Sequence, residues 1–123
     1  MKINKVTPIQ VVERIEPALP FYEGVLGYQR VVEVPHEEHL GFVLLVRDGD
    51  ALMLQSRPSA QADVPALARQ GSALYIDVAS LDEARGAVSG REVIVERTTF
   101  YGAREIWFRE PSGVLVALAE HHA

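Results

Sequence analysis

Apolar and polar residues alternate along several short stretches of the chain, and most of these stretches end at glycine or proline. Such alternation is typical of a β-strand with one buried face, whereas apolar residues three and four positions apart are typical of a helix. The stretch 5–12 is rich in β-branched residues and predicts a first strand. A helix is predicted next over 16–28, because Pro17 suits a first turn and Gly27 suits the C-terminal cap, although Pro20 weakens the start. Its apolar face consists of Ala18, Leu19, Tyr22 and Leu26.

Three further strands complete the first half of the chain. One is predicted over 28–35, and two flank Asp48-Gly49, a dipeptide that favours a tight hairpin turn between apolar runs. The segment 58–71 contains alanine, proline and polar residues with little periodicity, so we interpret it as a connector. It separates module 1, about 1–57, from module 2, about 72–121.

The second half repeats the order of elements in the first. A strand over 72–78 precedes a helix over 80–90, in which Ser80 and Glu83 form a capping box and Gly90 ends the helix. Three more strands are predicted over 91–98, 103–110 and 114–120. The order β-α-β-β-β therefore occurs twice, and we predict one α+β domain over residues 1–123 built from two βαβββ modules.

Composition narrows the classes of function. A chain of 123 residues that is 48% hydrophobic can bury a core, and the absence of cysteine excludes disulfides and thiolate sites. Residues 1–10 lack the apolar segment of a secretory signal and no apolar run is long enough to span a membrane, so we expect a soluble, cytoplasmic protein. A net charge of -5 with scattered basic residues argues against nucleic acid as a partner.

Three stretches resemble a known family: "FYEGVLGY" at 21–28, the Asp48-Gly49 hairpin, and "YGAREIWFREPSGVLVALAE" at 101–120. Together they resemble the vicinal oxygen chelate superfamily, which includes glyoxalase I, bleomycin-resistance proteins, fosfomycin-resistance proteins and extradiol dioxygenases. The resemblance spans nearly the whole chain. It implies two βαβββ modules whose curled mixed sheets surround a cleft, in a homodimer of either the swapped or the side-by-side kind.

In metal-using members of this family, four strands each supply one ligand to a divalent ion, generally histidine or glutamate. The resemblance places these ligands at Thr7, Met53, Ala73 and Ala117, none of which is a competent donor. We therefore expect no metal and no cofactor.

The four histidines lie elsewhere in the sequence. His36 and His39 have a spacing that a metal site on a helical turn would use, but Pro35 and the apolar strand behind them favour a solvated loop. His121 and His122 are expected to form a mobile tail.

The alternation within each strand predicts which side chains share the cleft with the former ligand positions. The predicted ligand-binding residues are Thr7, Val34, Phe42, Leu44, Met53, Gln55, Tyr75, Glu105 and Trp107. Such a pocket is mainly apolar and partly aromatic, as small-molecule sites usually are. The alternative is that the protein's own side chains fill the cleft as a second core.

No catalytic residue is assigned, and Glu105 is a weak candidate. A carboxylate that faces an apolar cleft must be paired, exposed or raised in pKa, and Glu105 would be a general base only if buried and unpaired. Arg104, its neighbour in sequence, points to the opposite side of the strand.

Three functions remain open at this point. The first is a metal-free protein of the bleomycin-resistance type that sequesters a small, largely apolar or aromatic molecule. The alternative is a lyase, isomerase or dioxygenase relative that acts on a small metabolite, with Glu105 and Tyr75 as an acid/base pair or with a metal held by unpredicted ligands. A third is a domain whose role is protein association. Whether the protein is an enzyme stays open.

Overall fold

The computed structural model describes residues 1–69, 72–99 and 102–122. The chain divides into two compact units, Met1–Gly71 and Ser72–Ala123. Each unit contains one four-stranded mixed sheet, and the order strand, helical segment, strand, strand, strand occurs in both. The α+β class and the two βαβββ modules are therefore confirmed, whereas the single domain over 1–123 stays a prediction. Within the described residues, no helix is long and apolar enough to cross a membrane.

The sheet of the first unit has the order β1-β4-β3-β2, with β1 parallel to β4 and the other pairs antiparallel. Its strands are β1 (Ile9–Val12), β2 (Gln29–His36), β3 (His39–Arg47) and β4 (Asp50–Ser56). The predicted hairpin is present, since Asp48 and Gly49 join β3 to β4 with φ angles of 45° and 86°. Strand β1 is shorter than predicted, because Pro8 has no N–H to donate and contributes a carbonyl to Met53 N instead (2.9 Å).

The predicted first helix takes an irregular form. A 3₁₀ turn over Glu16–Ala18 leads into a π-helix over Pro20–Val25. Pro20 lacks the N–H that a regular helix needs, and the following turn is widened, with Leu26 N donating to Phe21 O (3.0 Å). The unit's core joins buried residues of this segment to one face of the sheet, namely Ile15, Ala18, Leu19, Phe21, Tyr22, Val12, Val43, Leu45, Leu52 and Leu54.

The predicted connector contains two short helices, α1 (Arg57–Asp63) and α2 (Pro65–Ala68). The hydroxyl of Ser56 caps α1 by accepting from Ser59 N (3.2 Å). Ala60 and Ala68 pack with Val11 in a small apolar cluster. Helices of this length bury too few residues to show a periodic pattern, which is why the sequence did not indicate them.

The sheet of the second unit has the equivalent order β5-β8-β7-β6. Its elements are β5 (Ala73–Asp77), α3 (Leu81–Ala87), β6 (Val93–Thr98), β7 (Ala103–Arg109) and β8 (Leu115–His121). Ser80 caps α3 as predicted, its hydroxyl accepting from Glu83 N (3.2 Å), and α3 packs against β8. The buried residues on this side of the sheet include Leu81, Ile106, Phe108, Val116 and Leu118.

The turn between β7 and β8 is organised by a buried glutamate. Glu110 is 2% exposed, and its Oε1 accepts from Val114 N (3.0 Å) and from the Ser112 hydroxyl (2.5 Å). Gly113 takes a φ of 98°, which favours glycine. This turn sets the β7–β8 register up to the pair Ala103 and His121. The prediction that His121 belongs to a mobile tail is therefore wrong, because His121 is the last residue of β8.

Candidate functional site

The strand register of the second unit defines the face on which three predicted site residues lie. Cross-strand pairs place Arg97 beside Glu105, Glu105 beside Ala119 and Ala119 beside Asp77. The next row runs from Val95 through Trp107 and Ala117 to Tyr75. We call this side the aromatic face, formed by Tyr75, Asp77, Val95, Arg97, Glu105, Trp107, Ala117, Ala119 and His121.

Glu105 is the centre of the aromatic face, and it is 0% exposed. Its Oε1 accepts from Arg97 Nε (2.7 Å) and from Trp107 Nε1 (3.0 Å). Its Oε2 accepts from the Tyr75 hydroxyl (2.5 Å). The sequence left three possibilities for this carboxylate: paired, exposed or raised in pKa. The structure shows it paired, since Arg97, Trp107 and Tyr75 donate the hydrogen bonds that a buried carboxylate needs. Glu105 is thus not an unpaired general base.

The partner of Glu105 is Arg97, which the sequence did not indicate. Arg104 lies on the opposite side of the strand, as predicted, 3.7 Å from Asp82. The signal for Arg97 is the β6–β7 register, in which Arg97 stands directly opposite Glu105, and opposite charges in such cross-strand positions attract. That register depends on the connection between the two strands, which the sequence pattern does not specify.

The aromatic rings of this face flank Ala117, a position that the resemblance assigns to a metal ligand. The Tyr75 and Trp107 rings meet edge to face, with centroids 6.3 Å apart and an interplanar angle of 64°. Both residues are cross-strand neighbours of Ala117, one on each side, and Ala117 is 0% exposed. The guanidinium carbon of Arg97 lies 5.8 Å from the centroid of the Trp107 ring, within cation–π range.

His121 extends the polar network from the buried carboxylate towards solvent. The Tyr75 hydroxyl gives its single hydrogen to Glu105, so His121 Nε2, which is 3.2 Å from that oxygen, is the donor of the next hydrogen bond. The same nitrogen lies 3.4 Å from Asp77 Oδ1. The sequence missed His121 because its place depends on how far β8 continues.

The first unit presents a face of a different kind. Leu44 pairs with Met53 across the hairpin, as predicted, and Val34 pairs with Phe42. Val34 is 47% exposed, and Phe42, Leu44 and Met53 are half-buried. We call this side the apolar face, formed by Ile9, Val32, Val34, Phe42, Leu44 and Met53.

Gln55 stands opposite Phe42 and two residues from Met53, so it lies on the same side of the sheet, as predicted. It is 6% exposed, and its Nε2 donates to the hydroxyl of Ser59 in α1 (3.2 Å). Thr7 precedes β1 and lies outside the sheet. The structure thus groups Val34, Phe42, Leu44, Met53 and Gln55 on one sheet, and Tyr75, Glu105 and Trp107 on the other.

The four positions that the resemblance assigns to metal ligands carry side chains that do not fit a divalent metal. Thr7, Met53, Ala73 and Ala117 offer a hydroxyl, a thioether and methyl groups, and Ala117 has Tyr75 and Trp107 as its cross-strand neighbours. Across residues 1–69, 72–99 and 102–122, no group of three or more histidine, cysteine or acidic side chains is placed to hold a metal ion.

A groove of about 520 Å³ lies beside the β2–β3 turn of the first unit. It is lined by Glu13, Arg14, His36, Glu37, Glu38, His39, Leu40, Ser56 and Pro58. His36 and His39 face each other as the last pair of the hairpin, so the predicted loop is a two-residue turn. Arg14 Nη2 lies 2.6 Å from His39 Nε2 and donates to it, which occupies the lone pair that a metal would need.

The Glu16 carboxylate is hydrogen-bonded to Leu40, one of the residues that line this groove. The backbone N–H of Leu40 donates to Glu16 Oε2 (2.8 Å) and lowers the pKa of the Glu16 carboxyl. The Arg14 guanidinium adds a weaker attraction that lowers the pKa of Glu16 further. We therefore interpret this groove as the solvated end of the β2–β3 hairpin.

Comparison with solved structures shows the same fold in several proteins. A glyoxalase/bleomycin resistance protein/dioxygenase from Nocardioides has a TM-score of 0.74 at 19% identity, covering 98% of this chain and 85% of that one. TnmS3, an antibiotic binding protein from Streptomyces sp. CB03234, has a TM-score of 0.70 at 20% identity, covering 99% of both chains. A lactoylglutathione lyase from Agrobacterium tumefaciens has a TM-score of 0.73 at 18% identity, covering 97% of this chain and 95% of that one.

At these identities the likeness to solved structures shows the fold alone. No sequence among functionally curated proteins matches the chain. The model of one family does match it, over residues 2–118, and this is the family that the sequence resembles. The chain belongs to the Glyoxalase/Bleomycin resistance protein/Dioxygenase superfamily.

Proposed function

We propose that the protein binds a small, largely apolar or aromatic molecule without a metal and without converting it, as sequestering proteins of the bleomycin-resistance type do. The observation that carries this proposal is the aromatic face. There Glu105 holds the Trp107 indole and the Tyr75 phenol in place by hydrogen bonds, above a position where metal-using relatives have a ligand and this chain has Ala117. Rings whose orientation is already set cost a ligand little ordering entropy.

The exposure of the apolar side chains supports binding over the alternative of a filled core. Tyr75 is 46% exposed, and Val34, Val32 and Ile9 are 47%, 41% and 40% exposed. Burial of apolar surface stabilises a complex by roughly 25 cal/mol per Å². Exposed apolar side chains with a few fixed polar groups beside them are usual in small-molecule sites, and each of the two faces has exposed apolar side chains of its own. The antibiotic-binding function of TnmS3, which shares the fold, also supports this proposal.

The binding test uses the chain's single tryptophan, Trp107, as its reporter. Protein dialysed against a chelator is titrated with N-phenyl-1-naphthylamine, a neutral aromatic probe, and both Trp107 emission and probe emission are followed. We expect saturable binding with quenching of Trp107. Stoichiometric zinc, nickel, manganese or iron that survived the dialysis would overturn the metal-free part of the proposal.

Two variants test the two faces separately, with probe emission as the readout. Trp107→Leu removes the indole from the aromatic face, and Val34→Asp places a charge on the apolar face. Val64→Asp is the matched control, because Val64 is 50% exposed and lies between α1 and α2, outside both faces. We expect at least one face variant to bind more weakly than the control. Full affinity in both would overturn the assignment of these residues.

One observation favours a second function, in which the protein is an enzyme. Tyr75, which is half exposed, donates to a fully buried carboxylate and connects it to His121, so a proton could move between solvent and Glu105. In a lyase or isomerase, Tyr75 would exchange the proton with the substrate, and the paired Glu105 would orient the Tyr75 hydroxyl. Lactoylglutathione lyase activity, the activity named for one structural relative, provides a first assay. Turnover that is lost in Tyr75→Phe would replace the binding proposal with this one.

We also propose that the protein is a cytoplasmic homodimer with no nucleic-acid or membrane partner. Support for the dimer comes from the exposed apolar residues of two strands at sheet edges, β2 and β6. These residues are Val31, Val32, Val34, Val93, Ile94 and Val95, each more than 40% exposed. Light scattering after gel filtration tests the dimer, and cell fractionation tests the location.

A further inference from the structure

Arg97 is an exposed, positively charged residue of the aromatic face, and it lies beside Trp107. Its side chain is 53% exposed, whereas the side chain of its partner Glu105 is 0% exposed. The carboxylate thus lies beneath the guanidinium, which in turn lies against the Trp107 ring. Positive charge and aromatic surface are therefore presented together.

The carboxylate of Glu105 is fully buried and accepts hydrogen bonds from at least three side chains among the described residues. Arg97 Nε, Trp107 Nε1 and the Tyr75 hydroxyl all point at its two oxygens. Because a carboxylate has about four acceptor positions, these bonds use most of its capacity, and its burial keeps a ligand away from it. The neighbouring Glu96 is bound by Arg85 on the surface and alternates to the other side of the strand.

The other exposed acid of the aromatic face lies at the opposite edge of the sheet. Asp77 is three strands away from Arg97 along the same row, which corresponds to about 14 Å at the usual strand spacing. Exposed charges at that distance are screened at physiological salt, where the Debye length is about 8 Å. Asp77 also has His121 as a neighbour, at 3.4 Å.

We propose that Arg97 determines the class of ligand, and that this class is a flat aromatic molecule bearing an anionic group such as a carboxylate or sulfonate. The inference rests on the proposed binding function and narrows it. A guanidinium recognises planar oxyanions through paired N–H donors, and the cation–π contact with Trp107 keeps the guanidinium beside the ring that the ligand covers.

The experiment compares two probes with one aromatic skeleton. 8-Anilinonaphthalene-1-sulfonate carries a sulfonate, and N-phenyl-1-naphthylamine lacks it, so the ratio of their dissociation constants isolates the contribution of the anion. We expect Arg97→Gln to weaken sulfonate binding relative to neutral binding by about tenfold, the lower end for a hydrogen bond to a charged group. Arg104→Gln is the matched control, because Arg104 lies on the opposite side of β7, and it should leave the ratio unchanged.

Two further measurements keep the inference testable if Arg97→Gln folds poorly. Arg97→Lys keeps the charge but loses the planar donor pair, so its ratio should lie between those of the wild type and Arg97→Gln. In the wild type, rising salt should weaken binding of the sulfonate probe and leave the neutral probe unaffected. If neither probe binds the wild type, the proposed function itself falls. If both bind, but the ratio is the same in the wild type, Arg97→Gln and Arg97→Lys and does not respond to salt, this inference alone is overturned.

Discussion

Replacing Glu105 with glutamine preserves the size of the side chain but removes the charge that three donors share. The glutamine oxygen can still accept from Arg97 and Trp107, and its amide N–H then faces the Tyr75 hydroxyl, which must accept where it previously donated. The variant therefore replaces hydrogen bonds to a charged acceptor with weaker ones to a neutral amide. Because Glu105 is 0% exposed, water does not reach the amide to compensate for the lost charge.

The size of the effect follows from the exposure of each donor. Hydrogen bonds to a charged acceptor contribute about 1.5 to 3 kcal/mol each. The bond from Arg97 is worth less, because that side chain is 53% exposed and solvent screens it. We therefore expect Glu105→Gln to lower the free energy of unfolding by about 2 to 3 kcal/mol, which is about a 30- to 150-fold change in the unfolding equilibrium.

The assay is urea denaturation at pH 7, followed by far-ultraviolet circular dichroism so that the altered environment of Trp107 does not affect the signal. Glu96→Gln is the matched control. Glu96 lies on β6 and is paired only on the surface with Arg85, so the same substitution should leave the midpoint unchanged. Combining Glu105→Gln with Tyr75→Phe should cost less than the sum of the two, since both substitutions act on the hydrogen bond between Tyr75 and residue 105.

A wild-type midpoint in Glu105→Gln would refute this reasoning. It would mean that the desolvation free energy of the buried carboxylate equals the free energy gained from its hydrogen bonds, as can happen for buried ion pairs. Additivity with Tyr75→Phe would show separately that the hydrogen bond between Tyr75 and Glu105 contributes nothing.

Three other predictions concern the packing around Gly41, the pH dependence of the Glu23–Arg30 pair, and a carboxylate placed at Ala117. Gly41→Ala should destabilise the protein by about 1 to 3 kcal/mol in thermal unfolding, because the new Cβ would lie 2.6 Å from His36 Cβ. Gly86→Ala is the control, because Gly86 lies in α3 and a Cβ there would have no neighbouring atom within 4 Å. It should stabilise the protein by up to about 1 kcal/mol. Equal changes in stability for the two variants would contradict the close packing around Gly41. The hydrogen bonds from Arg30 lower the pKa of the Glu23 carboxyl. The Glu23–Arg30 pair therefore stabilises the folded protein at pH values above the ordinary glutamate pKa. This contribution is lost as the pH falls through the lowered pKa of Glu23. Glu23→Gln should accordingly be less stable than the wild type by under about 1 kcal/mol in urea at pH 7, and the difference should shrink as the pH is lowered below the ordinary glutamate pKa. A difference that grew in acid would contradict this assignment. Ala117→Glu should cost about 3 to 5 kcal/mol, since it buries a carboxylate beneath Tyr75 and Trp107, and calorimetry should detect no zinc binding. Tight zinc binding by that variant would show that a competent metal site needs only this one residue.

The elements that the sequence predicted well are those with local causes. Period-two alternation determines the strand faces, and the pairing of Leu44 with Met53 follows once Asp48 and Gly49 adopt positive φ angles in a two-residue turn. The family motifs, which are local in the same sense, identified the superfamily. Short or strained segments were less predictable, because the missing N–H of Pro20 changes the helix type without changing its apolar pattern.

The chemistry of the site, by contrast, was decided by tertiary structure. The sequence identified Glu105, Tyr75 and Trp107 but could not say whether the carboxylate was paired. The answer depends on the register of β6 against β7, which brings Arg97 opposite Glu105, and on the extension of β8 to His121. Alternation states which face a residue occupies, and only the pairing of distant strands states which residue stands next to it. For this protein, that difference separates an unpaired general base from a paired carboxylate that holds two aromatic rings in place.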